Sequence, residues 1–368
     1  GGIYAIELPQ NCFVTENHII IQTLWRSSTR LVHVDLSNGS VKPLTPLDMV
    51  TKVLAIGNAK VFAVESSLQQ KPTLVSYDIT TKDDIITLEK RNAYTEDTNN
   101  IPATKTKVLK SIATRKNGYN IEYFMLLPNK PQVKDESIPL VMYPHGGPHS
   151  AFTMDYSAIM TFLVGLGYAV AVPNYRGSIG YGQDFVDVLP GNCGTFEVQD
   201  VQLVMEDIWK KNPGLVSKEN IGVMGGSHGG FTATQLIGQD PRFKVAVVRN
   251  PVINIAALAI VSDIPDWSLM EATGSCKTKL TGDVLKKMHE MSPIAHVDKV
   301  KAPTLLLLST GDKRVPPSQG KEYFYALKER GVETEMIVYP DEYHAVIQPE
   351  HLADFCIKHA VWFNRYLK

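Results

Sequence analysis

The order of apolar and polar residues divides the chain into a β-rich first part and an alternating second part. In roughly the first ninety residues, short apolar or alternating runs such as 19–21 and 31–34 are followed by turn residues such as Asn38-Gly39. This pattern of short runs followed by turn residues is typical of strands joined by hairpins. The polar residues 91–105 then predict a linker. We therefore expect two domains, at residues 1–95 and 96–368.

The β-rich part contains a weak internal repeat. The segments LVHVDL and LVSYDI begin 43 residues apart, at positions 31 and 74. A period of about 40–45 residues with several strands per unit is typical of propeller blades. Only about two units are visible, whereas closed propellers need about 4–8 blades. We predict that residues 1–95 form the last blades of a partial β-propeller, with a small independent β-domain as the alternative.

The second part alternates between two kinds of pattern. The turn Asn117-Gly118 between two apolar runs first predicts a β-hairpin. Short apolar runs, of the kind buried on both faces of a parallel sheet, then alternate with helical spacings such as Val198, Val201 and Met205. The runs lie at 139–143, 169–173, 221–224, 245–248, 304–308 and 335–339. This alternation predicts an α/β fold with a doubly wound, mostly parallel sheet.

One strand–turn–helix junction carries a candidate nucleophile. The run 221–224 leads into Gly225-Gly226-Ser227-His228-Gly229-Gly230, and residues 231–237 have a helical pattern. In the motif G-x-S-x-G the turn is so tight that a Cβ at either glycine would clash, and the serine is held exposed. We predict Ser227 as the nucleophile of an α/β-hydrolase fold. A tight turn with an incidental serine is the alternative.

A serine hydroxyl needs a base, and the base needs a third group to fix its tautomer. In this fold the order along the chain is serine, acid, histidine, with each partner after a later strand. Asp312 follows the strand predicted at 304–308, and His344 follows the one predicted at 335–339. We predict Asp312 as the orienting acid and His344 as the general base. Asp341, three residues before His344, is the alternative acid.

Acyl transfer also needs N–H donors for the oxyanion. The backbone N–H of His228 is the first candidate, and the second should lie in the loop after the strand at 139–143. In that loop we assign Gly147, with Gly146 as the alternative. His145 and His149 are a poor metal pair, because their spacing needs a helix that Gly-Gly-Pro interrupts.

Composition narrows the classes of partner. The chain has 37 basic and 38 acidic residues and no basic stripe interleaved with aromatics, so nucleic acid is not an expected partner. No apolar run is long enough to span a bilayer, so no membrane is expected either. The four cysteines are scattered without a C-x-x-C, which argues against a zinc site and a disulfide framework and favours buried free thiols.

Several motifs occur together in one known family. The stretches HGGP at 145, NYRGS at 174, GGSHGGF at 225 and DKRVP at 312 resemble the prolyl oligopeptidase family of serine peptidases. Within that family, GGSHGGF, RNPVINI at 249 and DIPDW at 263 resemble the eukaryotic acylaminoacyl-peptidase branch. The resemblance covers residues 107–368 well and the β-rich front only loosely.

The resemblance implies a cytosolic exopeptidase that removes an N-acylated, typically N-acetylated, residue from short peptides. It implies no cofactor and no metal, and it allows a homo-oligomer. Ser227, Asp312 and His344 fall on the family's triad positions, and His228 and Gly147 fall on its oxyanion positions. The family's propeller has more blades than the two visible here, so a fragment or an unusual form is expected.

Three arginine and asparagine positions follow predicted strands and are candidates for orienting substrate. Arg249 and Asn250 follow the strand at 245–248, and Arg176 follows the one at 169–173. The alternative is that these residues lie on the surface or pack against other side chains without contacting substrate. Two other functions also stay open at this point. They are a dipeptidyl-peptidase, oligopeptidase or carboxylesterase of the same fold, and an inactive truncated interaction module.

Overall fold

The computed structural model describes residues 3–5, 8–82, 85–94, 106–115, 118–129 and 137–367. Contacts between Cα atoms separate the chain into two compact units. The first unit comprises 1–108, 151–161 and 179–183, and the second comprises 109–150, 162–178 and 184–368.

The first unit contains two antiparallel sheets. One has three strands in chain order, and its first strand also forms an antiparallel bridge between Leu24 and Tyr4. The other has four strands in chain order. The strands are β1 (His18–Trp25), β2 (Ser28–Asp35), β3 (Ser40–Pro43), β4 (Val50–Gly57), β5 (Lys60–Ser67), β6 (Gln70–Lys82) and β7 (Ile85–Tyr94).

The two small sheets share one apolar core. Ile20 and Leu31 come from the three-stranded sheet, and Val61 and Val75 come from the four-stranded sheet. All four side chains are fully buried. Residues two apart along a strand point to the same face, so one face of each strand supplies this core.

The second unit is built on an eight-stranded sheet with the order β15-β14-β13-β12-β10-β11-β9-β8. Neighbouring strands from β15 to β11 pair in parallel, and β9 pairs antiparallel to β11. The strands are β8 (Thr106–Thr114), β9 (Asn120–Pro128), β10 (Ile138–Met142), β11 (Ala169–Pro173), β12 (Val216–Gly226), β13 (Phe243–Arg249), β14 (Thr304–Ser309) and β15 (Thr334–Tyr339). The predicted fold class, an α/β-hydrolase fold after a β-rich part, is confirmed.

Helices connect these strands. They are α1 (Ala158–Gly165), α2 (Gln183–Asp187), α3 (Phe196–Lys211), α4 (His228–Gln239), α5 (Ile255–Leu258), α6 (Pro265–Thr273), α7 (Gly282–Glu290), α8 (Pro317–Glu329) and α9 (Pro349–Tyr366), with a 3₁₀ helix at Pro293–Lys299. On α9, His359 and Phe363 are buried, whereas Leu352 is 41% exposed. Within the described ranges, no helix is long and apolar enough to cross a membrane.

The predicted hairpin and linker are described only in part. Strands β8 and β9 are hydrogen-bonded neighbours, and Gly118 has φ +92°, a conformation that favours glycine. Asn117 lies outside the described residues. Residues 91–94, expected in the linker, extend strand β7, because they continue its pairing with β6. Residues 95–105 lie outside the described residues.

The parallel strands fix where the candidate residues lie. Because β10, β12, β13, β14 and β15 run in the same direction, their carboxyl ends meet at one edge of the sheet. The predicted nucleophile, acid and base each follow one of these strands. The candidate oxyanion loop follows β10 at the same edge.

Candidate active site

Ser227 occupies the turn between strand β12 and helix α4, with φ +59° and ψ −126°. A positive φ is costly for a residue with a Cβ and persists only where the surroundings enforce it. The surroundings do so here. A Cβ on Gly225 would lie 2.1 Å from the Gly229 carbonyl oxygen, and one on Gly229 would lie 2.5 Å from the Pro144 oxygen. The two glycines therefore permit the close packing that presents the serine.

His344 bridges the serine and the acid. Its Nε2 lies 3.0 Å from Ser227 Oγ, and its Nδ1 lies 2.7 Å from Asp312 Oδ2. Because the carboxylate accepts a hydrogen bond from Nδ1–H, Nε2 carries the lone pair that can take the hydroxyl proton. The structure therefore brings together the three residues predicted as the triad.

Asp312 is buried, with 3% of its surface exposed, and backbone hydrogen bonds fix its carboxylate. Its Oδ1 accepts hydrogen bonds from the backbone N–H groups of Arg314 at 2.9 Å and Val315 at 3.0 Å. These bonds leave Oδ2 for His344. The backbone N–H of Asp341, the alternative acid, donates a hydrogen bond to Thr310 Oγ1. The Nδ1 of the His344 imidazole is already bonded to Asp312.

The candidate oxyanion loop packs against the nucleophile turn. A Cβ on Gly146 would lie 3.4 Å from the Cβ of Ser227. Gly147 has φ +121°, and its carbonyl oxygen accepts a hydrogen bond from Trp267 Nε1 at 3.0 Å. His228 is the first residue of helix α4, so its N–H has no intrahelical acceptor. Gly147 and His228 thus lie on the two segments that flank Ser227.

His145 supports this loop as a neutral side chain. Burial lowers the pKa of His145 to about 3. Its ring stacks on Tyr175 with centroids 4.2 Å apart, and its Nδ1–H donates to the Gly146 carbonyl oxygen at 2.8 Å. An imidazole that stays neutral at physiological pH can hold the loop without placing a positive charge beneath it.

Arg176, a candidate for orienting substrate, is buried against helix α3. It is 4% exposed, and its Nε lies 2.8 Å from Asp200 Oδ2. Its guanidinium carbon also lies 3.9 Å from the centre of the Phe196 ring. Because its charge is paired with a buried carboxylate on α3, Arg176 holds the loop after β11 against that helix. This pairing favours a packing role over substrate binding.

Arg249 and Asn250 reach the site, but they contact the protein rather than open space. Asn250 is 1% exposed; its Oδ1 accepts from the Ser309 N–H at 2.9 Å, and its Nδ2 lies 3.3 Å from the carbonyl oxygens of Tyr343 and His344. Arg249 Nη1 also donates to the His344 carbonyl oxygen. Burial lowers the pKa of Arg249, and the charge of Asp312 partly offsets that effect. Both side chains therefore fix the backbone of His344.

Glu342 is a supporting residue that the sequence reasoning missed. It is fully buried, and its carboxylate accepts hydrogen bonds from the backbone N–H groups of Ile347 at 3.1 Å and Gln348 at 2.9 Å. Its own carbonyl oxygen accepts from the Gly311 N–H at 2.9 Å, which ties the base loop to the acid loop. The sequence signal was an acid two residues before His344.

A serine at a strand–helix turn, bonded to an imidazole that is bonded to a buried carboxylate, is the arrangement of the α/β-hydrolase class of serine hydrolases. Comparison with known proteins agrees. The prolyl oligopeptidase family matches residues 154–368, and the N-terminal domain of acylamino-acid-releasing enzyme matches residues 1–108. The chain belongs to the prolyl oligopeptidase family.

Individual relatives give the same picture. The acylamino-acid-releasing enzyme of Arabidopsis thaliana is 35% identical over 388 residues, covering 100% of this chain and 50% of the relative. The solved acylaminoacyl peptidase of Pyrococcus horikoshii has a TM-score of 0.83 at 20% identity, covering 96% of this chain and 55% of its own. An acylaminoacyl peptidase in complex with Z-Gly-Gly-Phe-chloromethyl ketone has a TM-score of 0.82 at 20% identity, with 96% and 55% covered. The chain therefore spans about half the length of the relatives it matches.

Proposed function

We propose that this chain is a serine exopeptidase that removes an N-acylated amino acid from the end of short peptides. The observation that carries the proposal is the continuous hydrogen-bonded path from Ser227 through His344 to the buried Asp312. The distances of 3.0 Å and 2.7 Å lie within the range that a nucleophile and its base require.

In the proposed reaction, Ser227 Oγ attacks the carbonyl carbon of the acylated terminal residue while His344 Nε2 takes the hydroxyl proton. The N–H groups of Gly147 and His228 donate to the oxyanion. His344 then protonates the leaving amine, which departs as the shortened peptide. Water repeats the sequence on the acyl-enzyme and releases the N-acyl amino acid. Removing one oxyanion donor typically lowers the rate by about 10²–10³-fold.

The substrate class rests on the relatives. The matched enzymes are named for the release of acylamino acids, and one solved neighbour holds a peptidyl chloromethyl ketone. A site built around a nucleophilic serine can act on several kinds of acyl substrate, including esters and peptides with a free N-terminal amine. N-acylated peptides are the substrates we propose because the similarity to acylamino-acid-releasing enzyme extends over the entire chain.

The proposal is tested with one probe and one substrate panel. Mass-determined labelling by a fluorophosphonate should modify Ser227, and the Ser227→Ala variant should fold and lose both labelling and turnover. N-acetyl-alanine, free-amine Xaa-Pro and simple ester chromogenic substrates should then be compared side by side. Preference for the free amine or the ester would favour a dipeptidyl-peptidase or carboxylesterase. Absence of labelling would favour an inactive interaction module.

We also propose that the first unit is the end of a β-propeller, with the change of domain near residue 95. The four-stranded antiparallel sheet has the strand number of one blade. The bridge from Tyr4 extends the three-stranded sheet on its β1 side, so β2 and β6 each become the third strand of a four-strand set. Those are the two strands that carry the repeated segments LVHVDL and LVSYDI.

The cytoplasmic location and the homo-oligomer that the family resemblance implies stay predictions. Light scattering coupled to size-exclusion chromatography measures the second. No contact in the described part of the chain bears on either.

A further inference from the structure

A buried cluster of possible metal ligands lies behind the nucleophile turn. Cys193 Sγ, a Glu197 carboxylate oxygen and a His228 ring nitrogen all lie within 4.8 Å of one another. The three residues are 0–1% exposed. They come from the segment before α3, the first turn of α3 and the first residue of α4. Two segments of the fold therefore place three different donor types around one point.

Among the described residues, two members of the cluster have polar atoms that lack a hydrogen-bond partner. Glu197 Oε1 accepts a hydrogen bond from the Gly194 N–H at 2.7 Å, whereas Glu197 Oε2 accepts none. Neither ring nitrogen of His228 makes a hydrogen bond. Its Nε2 lies 3.4 Å from Glu197 Oε1, close enough for a charge contact but not aligned as a hydrogen bond. Buried polar atoms are rarely left unpaired in native proteins, so these atoms call for a partner.

The distance between two of the donors fits a tetrahedral metal ion. Zinc bonds of about 2.0–2.3 Å place neighbouring ligands of a tetrahedron about 3.3–3.8 Å apart. The 3.4 Å between His228 Nε2 and the Glu197 carboxylate lies in that range.

Donor chemistry and charge both favour zinc. A thiolate with an imidazole and a carboxylate is a ligand set that zinc accepts, whereas magnesium and calcium prefer oxygen ligands alone. One thiolate and one carboxylate balance the two positive charges, so the loaded site carries no net charge into the interior. The Cys193 thiol donates a hydrogen bond to Glu271 Oε2 at 3.3 Å, and that bond ends when metal binding removes the thiol proton.

We propose that Cys193, Glu197 and His228 bind one Zn²⁺ ion, with a water molecule as the fourth ligand. Binding replaces the thiol proton of Cys193, which passes to solvent. The site is separate from the acyl-transfer chemistry, because it uses the side chain of His228 whereas the oxyanion would use that residue's backbone N–H. Its occupancy would brace the residue that follows the nucleophile.

Titration of the full chain with Co²⁺, as a spectroscopic probe, and then with Zn²⁺ tests the proposal. One Co²⁺ per chain should produce a thiolate-to-metal charge-transfer band, and Zn²⁺ should abolish that band and raise the Tm with its concentration. Loss of outer ligand partners costs about 10–100-fold in metal affinity, so Cys193→Ser should cost at least that much and remove the band. Glu197→Gln, which keeps the shape of the side chain, should also weaken binding.

The matched control is Cys276→Ser, because Cys276 is an exposed free cysteine. It should keep the band and the affinity of the parent chain. Fluorophosphonate labelling of Ser227 in every variant reports folding of the nucleophile turn independently of metal, so failure of the metal site and failure of the proposed peptidase are distinguishable. No bound Co²⁺ in a chain that labels, or a band that survives Cys193→Ser, would overturn the proposal.

Discussion

Replacement of Asn250 by alanine tests whether this residue positions the general base or binds substrate. The amide joins the end of strand β14 to the loop that carries His344. In the Asn250→Ala variant, the N–H of Ser309, which is fully buried, loses its acceptor. An unpaired buried donor costs about 1–3 kcal/mol. Asn250 also has φ +41°, where an alanine costs about 1–2 kcal/mol more.

The expected loss of unfolding free energy is therefore about 2–5 kcal/mol for Asn250→Ala. Asn250→Gly should be less destabilised than alanine, because glycine tolerates the positive φ, but it loses the same hydrogen bonds. Asn212→Ala is a matched control, since the Asn212 side chain bonds only its own helix end, at the Ile208 oxygen. Urea unfolding of the three variants measures these differences.

Activity separates the two roles. A displacement of about 1 Å at a catalytic group can cost about 10²-fold in rate, so loss of the amide should lower kcat and the rate of fluorophosphonate labelling by about 10–100-fold. KM should change little, because the Asn250 amide is used on Ser309 and the base loop. A raised KM with unchanged labelling of Ser227 would refute the positioning role and return Asn250 to substrate binding.

Three further predictions concern packing, the oxyanion loop and pH. Gly229→Ala should lower the Tm and abolish labelling, since its Cβ would lie 2.5 Å from the Pro144 oxygen; a variant that labels normally would contradict the tight-turn account. Trp267→Phe removes the donor to the Gly147 oxygen and should lower kcat by about 2–10-fold at constant KM, the value of one hydrogen bond; an unchanged kcat would separate this contact from catalysis. Burial lowers the pKa of His359 to about 4, so the unfolded chain binds more protons between that value and about 6.5. Its stabilising contribution is complete above about pH 6.5 and falls by about 2 kcal/mol by pH 5, and His359→Gln should flatten that part of a stability–pH curve measured by urea unfolding.

The meeting of Ser227, His344 and Asp312 could be predicted from sequence because each of them follows a strand of one parallel sheet. The order along the chain and the strand ends were both visible in the apolar runs, so Ser227, Asp312 and His344 needed no long-range information beyond the direction of the strands. The need for glycines around Ser227 could also be predicted from the sequence, because their steric role is local.

The directions of the side chains at the sheet edge could not be predicted from the sequence. Arg176 turns inward because Asp200, on a helix 24 residues later, offers a buried carboxylate. Asn250 turns under the base loop because strand β14 lies between β13 and β15 and brings Ser309 beside it. The cluster at Cys193 was hidden for the same reason, since the scattered cysteines argued against zinc while His228 comes from a different helix.

The most direct test of the central claim is the rate at which a fluorophosphonate modifies Ser227 in the parent chain and in His344→Gln, with His351→Gln as the control. His351 lies on α9 and bonds Glu342 rather than the nucleophile. The account predicts that His344→Gln lowers the labelling rate by at least about 10³-fold, since triad residues act as a unit, and that His351→Gln labels within a few fold of the parent. Equal labelling of the parent and His344→Gln would contradict it.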